Sequence, residues 1–156
     1  MPSRRDLIAM TPDEMGTYLE AGGRIILVTN GPEGMPHPVP MHYGLDPDGR
    51  FIVTSFRKSQ KVKNLERDPR ATLLVESGSR YQELKAVVAY CNAEIIDDPE
   101  LVRKYMRLVR ADEAMAESIE RPMSEQVQAS MAKRVILRFT PFRFVSWDHG
   151  KLGNFY

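Results

Sequence analysis

Apolar residues in this chain fall into short runs separated by turn residues, a spacing that suits strands better than long helices. Residues 24–29 (RIILVT) hold the continuous apolar run Ile25-Ile26-Leu27-Val28 within a strand's length, which predicts a strand covered on both faces. Residues 134–141 instead alternate, with Val135, Leu137 and Phe139 on one face and Arg138 and Thr140 on the other, and a last strand is predicted over 142–147. Further strands are predicted over about 37–45, 51–55 and 71–75, and a long one from residue 81 or 85 to 96. Asn30-Gly31-Pro32-Glu33-Gly34, Asp46-Pro47-Asp48-Gly49 and Ser77-Gly78-Ser79 supply turns between them. The second strand carries Pro38 and Pro40, with Pro36 just ahead of it. Proline cannot donate to a ladder, so this strand is expected at an edge, or facing something other than a neighbouring strand.

Helix signals are fewer. Thr11-Pro12-Asp13-Glu14 is a capping box with proline at the first helical position, predicting a helix that Gly22-Gly23 stops. Asp98-Pro99-Glu100 opens a second, with Leu101, Tyr105 and Leu108 at helical spacing, and residues 124–132 form a third, with Val127 and Met131 four apart. A short helix with Val62 and Leu65 on one face, ended by Asp68-Pro69, separates the strands at 51–55 and 71–75. The pattern is mainly β with peripheral helices (α+β): six or seven antiparallel strands, suited to a barrel that leaves few exposed edges.

At 156 residues the chain is the size of one domain, 1–156, with 42% hydrophobic and 28% charged residues, the balance of a soluble globular protein. A net charge of +1 argues against a general nucleic-acid binder. The apolar run Leu7-Ile8-Ala9-Met10 is too short for a signal peptide or a membrane span. Cys91 stands alone, so no intrachain disulfide forms, and a cytoplasmic location with a buried thiol is expected. His37 and His42, an odd number of residues apart, point to opposite faces of a strand, and with no supporting cysteine pair no metal site is expected. Glycine-rich nucleotide loops and a nucleophile elbow are missing, and the acid pairs Asp13-Glu14 and Asp97-Asp98 sit where they cap helices.

One stretch departs from this ordinary picture. Between Arg57 and Arg70 six cations (Arg57, Lys58, Lys61, Lys63, Arg67, Arg70) stand against Glu66 and Asp68, while the rest of the chain is net negative. Arg57-Lys58-Ser59-Gln60-Lys61 lies at the start of the short helix, where free N–H groups and a partial positive charge favour a phosphate. A phosphate-binding turn without acid, base or nucleophile suits a protein whose cofactor carries the chemistry.

The run Lys58-Ser59-Gln60-Lys61, then Asn64-Leu65, then Arg67-Asp68-Pro69-Arg70, resembles the signature of the pyridoxamine 5'-phosphate oxidase-like split-barrel family, and the resemblance extends from about Ile25 to Leu152. It implies a split β-barrel that binds flavin mononucleotide (FMN) or the deazaflavin coenzyme F420 in a groove shared by two subunits. By resemblance, Ser59, Gln60 and Lys61 grip the phosphate with help from Arg57, Lys58 belongs to the same cofactor-binding run, and Thr54 and Ser55 line the ribityl chain and ring edge. Val39, Pro40 and Met41 form the strand whose backbone runs along the ring, and Trp147 belongs to a closing segment with Asp148, His149 and residues 151–153. Ala86 and Cys91 stand where close relatives tend to carry glycine. The arginine- and histidine-bearing C-terminal motif of true pyridoxamine 5'-phosphate oxidases is missing, so that activity is not expected. The function so implied is hydride transfer to or from a small organic substrate by a cytoplasmic homodimer, the alternative being a non-catalytic carrier or sensor of the same cofactor. F420 is favoured over FMN, because its anionic tail needs more cations than one phosphate and Arg57, Lys58 and Lys63 could supply them.

Overall fold

A computed structural model describes residues 3–109 and 124–153; the polar connection between the second and third expected helices lies largely outside them. Two helices, α1 (Arg4–Ile8) and α2 (Pro12–Glu20), precede β1 (Gly23–Asn30), β2 (Pro36–Leu45) and β3 (Phe51–Phe56). Helix α3 (Gln60–Arg67) leads to β4 (Arg70–Ser77), a single 3-10 turn (Tyr81–Glu83) and β5 (Lys85–Ile96). Then come α4 (Pro99–Met106), α5 (Glu125–Met131), β6 (Arg134–Asp148) and a closing 3-10 turn (His149–Leu152). The six strands form one closed antiparallel barrel in the order β1-β2-β3-β6-β5-β4, with β4 returning to β1. Among the described residues no helix is long and apolar enough to cross a membrane.

Alternation places the core. Ile25 and Leu27 of β1, Tyr43 of β2, Phe51 and Val53 of β3, Leu73 of β4, Cys91 of β5, and Val135, Leu137 and Phe139 of β6 turn inward, and Val62 and Leu65 of α3 join the same cluster. Each such large apolar side chain contributes about 1.5–3 kcal/mol on burial. Burial pushes the Cys91 thiol up to about 12, as suits a small buried residue without redox work. Tyr43, also pushed up to about 12, keeps its buried hydroxyl satisfied by donating to the Leu19 carbonyl at 2.7 Å. A second cluster lies outside the barrel, where Val102, Met106 and Val109 pack on Ile52, Ile96 and Ile136. Of the expected Leu101–Tyr105–Leu108 stripe, Tyr105 and Leu108 pack against this cluster, while Leu101 is 41% exposed and Val102, one residue on, is buried instead. Two stripes of similar spacing compete in that sequence, and the β-branched outer face of β3, β5 and β6 selects the slimmer Val102.

The strands expected at 134–141 and 142–147 are one strand. Pro141 does not break it, because it falls beside a register shift where Cys91 pairs with Pro141 and Tyr90 with Arg143. The expectation that β1 is covered on both faces holds for one face only: Ile25, Leu27 and Thr29 are buried, but Ile26 and Val28 on the outer face are half-exposed.

The gap in the barrel wall is set by β2. It pairs with β1 along its whole length, from Pro36 opposite Asn30 to Tyr43 opposite Gly23, but with β3 only at Gly44–Ile52 and Leu45–Phe51. Zippering β2 onto β3 further would set His42 against Thr54 and Pro40 against Phe56, and Pro40 has no N–H to give. Residues 36–42 therefore form the edge that their prolines led us to expect, and a slot separates them from residues 54–56. At its closed end Gly44 admits the backbone of Leu108, whose carbonyl oxygen would lie 2.0 Å from any added Cβ.

Helix α3 spans one end of the barrel and is pinned by a polar contact in the apolar interior. Asn64 is fully buried and donates Nδ2–H to Thr29 Oγ1 at 3.0 Å, while its Oδ1 accepts from Gln60 Nε2 at 2.8 Å. Asn64→Ala leaves the buried Thr29 hydroxyl without that donor, and the expected destabilisation is about 1–3 kcal/mol. Urea unfolding of the variant checks this, and an unchanged midpoint would show that α3 is held by apolar packing alone.

Candidate functional site

The basic turn folds as its sequence suggests, but its six cations do not act together. Arg70 pairs with Asp68 at 2.8 Å, Arg67 donates to the Asn30 carbonyl, and Arg57 reaches Asp97 at 3.0 Å. Arg57 thereby lines a separate groove between α4, α5 and β6, with Arg103, Met131 and Arg134. Among the described residues, Lys58, Lys61 and Lys63 have no carboxylate partner. Lys58 and Lys63 are exposed, whereas Lys61 is only partly exposed.

Lys61 donates to one hydroxyl, which a second hydroxyl bonds in turn. Its Nζ lies 3.2 Å from Ser55 Oγ, and Ser55 Oγ lies 2.9 Å from Ser59 Oγ. Burial pushes the Lys61 ammonium below the ordinary lysine range, and no anion offsets the cost. Ser59 occupies the N-cap of α3 yet makes no side-chain cap hydrogen bond, its hydroxyl being turned to Ser55 instead. The first helical hydrogen bond runs from the Lys63 N–H to the Ser59 carbonyl at 3.2 Å. That leaves the N–H groups of Gln60, Lys61 and Val62 in the unpaired first turn. A buried-side ammonium, two hydroxyls, free amides and a helix N-terminus converge here, a donor set fitted to a phosphate group.

The other expected site residues divide around this point. Thr54 and Ser55 are neighbours in β3 and so face opposite ways: Ser55 is buried toward Ser59 and Lys61, while Thr54 has a shielded Oγ1 with no partner. Gln60 turns inward to Asn64 rather than toward Lys61. Val39 and Met41 pack against the barrel core, while Pro40 lies exposed on the outer side. Trp147 pairs with Ala86 at the opposite end of β6 from Val135, the partner of Ser55, so one chain does not bring it to Lys61. The closing segment has a structural task. Lys151 Nζ reaches Glu14 at 2.6 Å and the Ala9 carbonyl at 2.8 Å, tying the N-terminal helices to the end of β6, and His149 Nδ1–H donates to the Tyr81 carbonyl at 2.8 Å, joining the two 3-10 turns. Asn64 stood in the sequence motif without a role, and Thr29 was missed, because a buried amide anchor leaves no periodic signal. Sequence reasoning also missed His42, whose backbone faces the slot; the alternating prolines before it were the available clue. His37 and His42 do lie on opposite faces, and no metal-binding cluster occurs among the described residues.

Comparison with known proteins matches this architecture. A conserved hypothetical protein from Mycobacterium tuberculosis has 33% sequence identity and a TM-score of 0.80, the alignment covering 97% of this chain and 93% of that one. An F420 reductase is 22% identical with a TM-score of 0.60, over 82% of this chain and 93% of its own. A FAD-binding protein from Mesorhizobium loti is 20% identical with a TM-score of 0.62, over 88% and 93%. These last two likenesses are of fold. No curated protein matches the sequence. The family described as pyridoxamine 5'-phosphate oxidase matches residues 11–148, and the chain therefore belongs to it.

Proposed function

We infer that this protein binds F420 or FMN through the phosphate and serves as an oxidoreductase for a small organic substrate. The observation that carries this reading is Lys61, a partly buried ammonium that donates to the Ser55 hydroxyl, itself bonded to Ser59, with no carboxylate beside it. A desolvated, unpaired cation costs the fold free energy unless an anion completes the site. The slot between β2 and β3 opens beside that cation and can take a flat ring, and Thr54 Oγ1 adds a polar atom still without a partner. A bound flavin or deazaflavin supplies the hydride chemistry itself. The protein's part is then to hold the phosphate, orient the ring and limit water. Lys58 and Lys63, exposed and unpaired, support the preference for F420's longer anionic tail, while Arg57, paired with Asp97, supports it less than its sequence position suggested.

The outer face of the sheet supports a homodimer. In register across five strands lie Pro40, Ile26, Leu74, Val88 and Val145, all on the outer side and none fully buried in one chain. A row of this kind in a barrel wall calls for a cover, and a second copy presents the same row. Trp147, far from Lys61 within one chain, joins the site if the second copy supplies it.

Titration of cofactor-free protein with FMN and with F420 tests the phosphate site. Lys61→Ala is expected to weaken both by about 1.5–3 kcal/mol, the range for a hydrogen bond to a charged group, with little change in folding. Lys63→Ala, exposed two residues on, should cost much less. Equal dissociation constants for Lys61→Ala and wild type would refute the assignment. Leu74→Asp tests the assembly: sedimentation should show wild-type dimers and a monomeric variant, and a monomeric wild type would rule out the shared groove.

A further inference from the structure

The prolines of β2 do more than end a ladder. In an antiparallel pair, residues alternate between those that exchange hydrogen bonds with the partner and those whose backbone groups turn away. The Gly31 N–H donates to the Met35 carbonyl at 2.9 Å, which fixes the phase of the β1–β2 pair. His37, Val39, Met41 and Tyr43 bond β1, while Pro36, Pro38, Pro40 and His42 turn their backbone groups to the other side. The far end agrees: the Asp46 N–H donates to the Arg50 carbonyl at 3.0 Å, which makes Gly44 the residue that bonds β3 at Ile52. The wall that β2 presents to the slot thus carries the carbonyls of Pro36, Pro38, Pro40 and His42 and only one N–H, that of His42. On the facing wall β3 keeps the N–H groups of Thr54 and Phe56.

The anion site at Lys61, Ser55 and Ser59 lies on the β3–α3 side of the slot. A ribityl phosphate held there leads into the slot along the β3 wall. In both flavins and deazaflavins the ribityl chain leaves from one side of the central ring, and position 5 lies on the opposite side. If the ring lies in the slot with its ribityl edge toward that tether, position 5 faces β2. A flavin has a nitrogen there, which in the oxidised state accepts a hydrogen bond. A deazaflavin has a C–H there.

We propose that the donor-poor wall of β2 selects the cofactor ring by the atom at position 5, accepting a deazaflavin and penalising an oxidised flavin. This rests on the reading of the slot as the ring site. A carbonyl facing the flavin nitrogen sets acceptor against acceptor and leaves both unsatisfied, whereas a carbonyl facing a C–H makes a weakly favourable contact. The selection acts on the ring alone and is independent of the tail charges discussed above.

FMN and 5-deaza-FMN have the same ribityl phosphate and differ at position 5, so their dissociation constants on the intact wild-type protein isolate the effect. The expected result is that 5-deaza-FMN binds about tenfold tighter than oxidised FMN, the scale of one unmade hydrogen bond. Pro38→Ala and Pro40→Ala, singly and together, put N–H groups back on the wall. At least one of these variants should tighten FMN and bring the ratio toward one, with 5-deaza-FMN changed less than about twofold. Circular dichroism establishes that each variant is folded, and the wild-type ratio stands as a test if none is. Equal affinities in the wild type overturn the proposal while leaving cofactor binding intact. A ratio unmoved by every folded proline variant overturns the assignment to β2. Binding of neither compound overturns the proposal together with the reading it rests on.

Discussion

An amide hydrogen that proline lacks shapes this barrel. Three prolines at alternate positions of β2 leave pairing with β1 intact, because each falls where the strand turns its backbone away from β1. The same placement removes the donors a second neighbour would need, and β3 stays attached only at Gly44 and Leu45. An open wall in a barrel usually invites pairing with another chain, and prolines along the edge suppress it. The slot is therefore a stable feature of the fold, held open by covalent structure rather than by a mobile segment.

The rest of the site depends on what stands at the slot's mouth. Helix α3 is short, and its polar anchor is buried: Asn64 to Thr29 fixes its roll, so that Lys61 and Ser59 face Ser55 while Val62 and Leu65 fill the barrel end. Burial then acts on Lys61 in two ways. It disfavours the free ammonium, and it strengthens any contact the ammonium makes with an anion, because fewer waters compete. The same ion in the exposed position of Lys63 would be hydrated and weak. Packing that serves the core thus also sets the electrostatics of the site.

Much of this was legible in the chain. The capping box at Thr11, the turn residues and the strand patterns located most elements, because each is a local signal with a local cause, and the prolines foretold the edge, while the short α1 was not foreseen. The basic turn marked, as a region, the place where Lys61, Ser55 and Ser59 come together. What the sequence did not resolve was the division of labour within it: Arg57 and Arg70 are drawn off by Asp97 and Asp68, one of them 40 residues away in the chain. At the start of α4 the buried position was misjudged by one residue for a similar reason, Val102 rather than Leu101 meeting Ile52, Ile96 and Ile136. The join of the last two expected strands turned on a register shift beside Pro141, a property of the pair with β5 rather than of β6 alone.

The claim at the centre of this account is that a ligand enters between β2 and β3 and ends at Lys61. Backbone hydrogen exchange with and without F420 or FMN tests it most directly, because the amides of His42, Thr54, Lys61 and Val62 have no ladder or helix partner in the fold. Added cofactor should slow exchange at those amides and leave α4 and α5 unchanged. Protection confined to the groove of Arg57, Arg103 and Met131, with the slot amides exchanging as before, would contradict it.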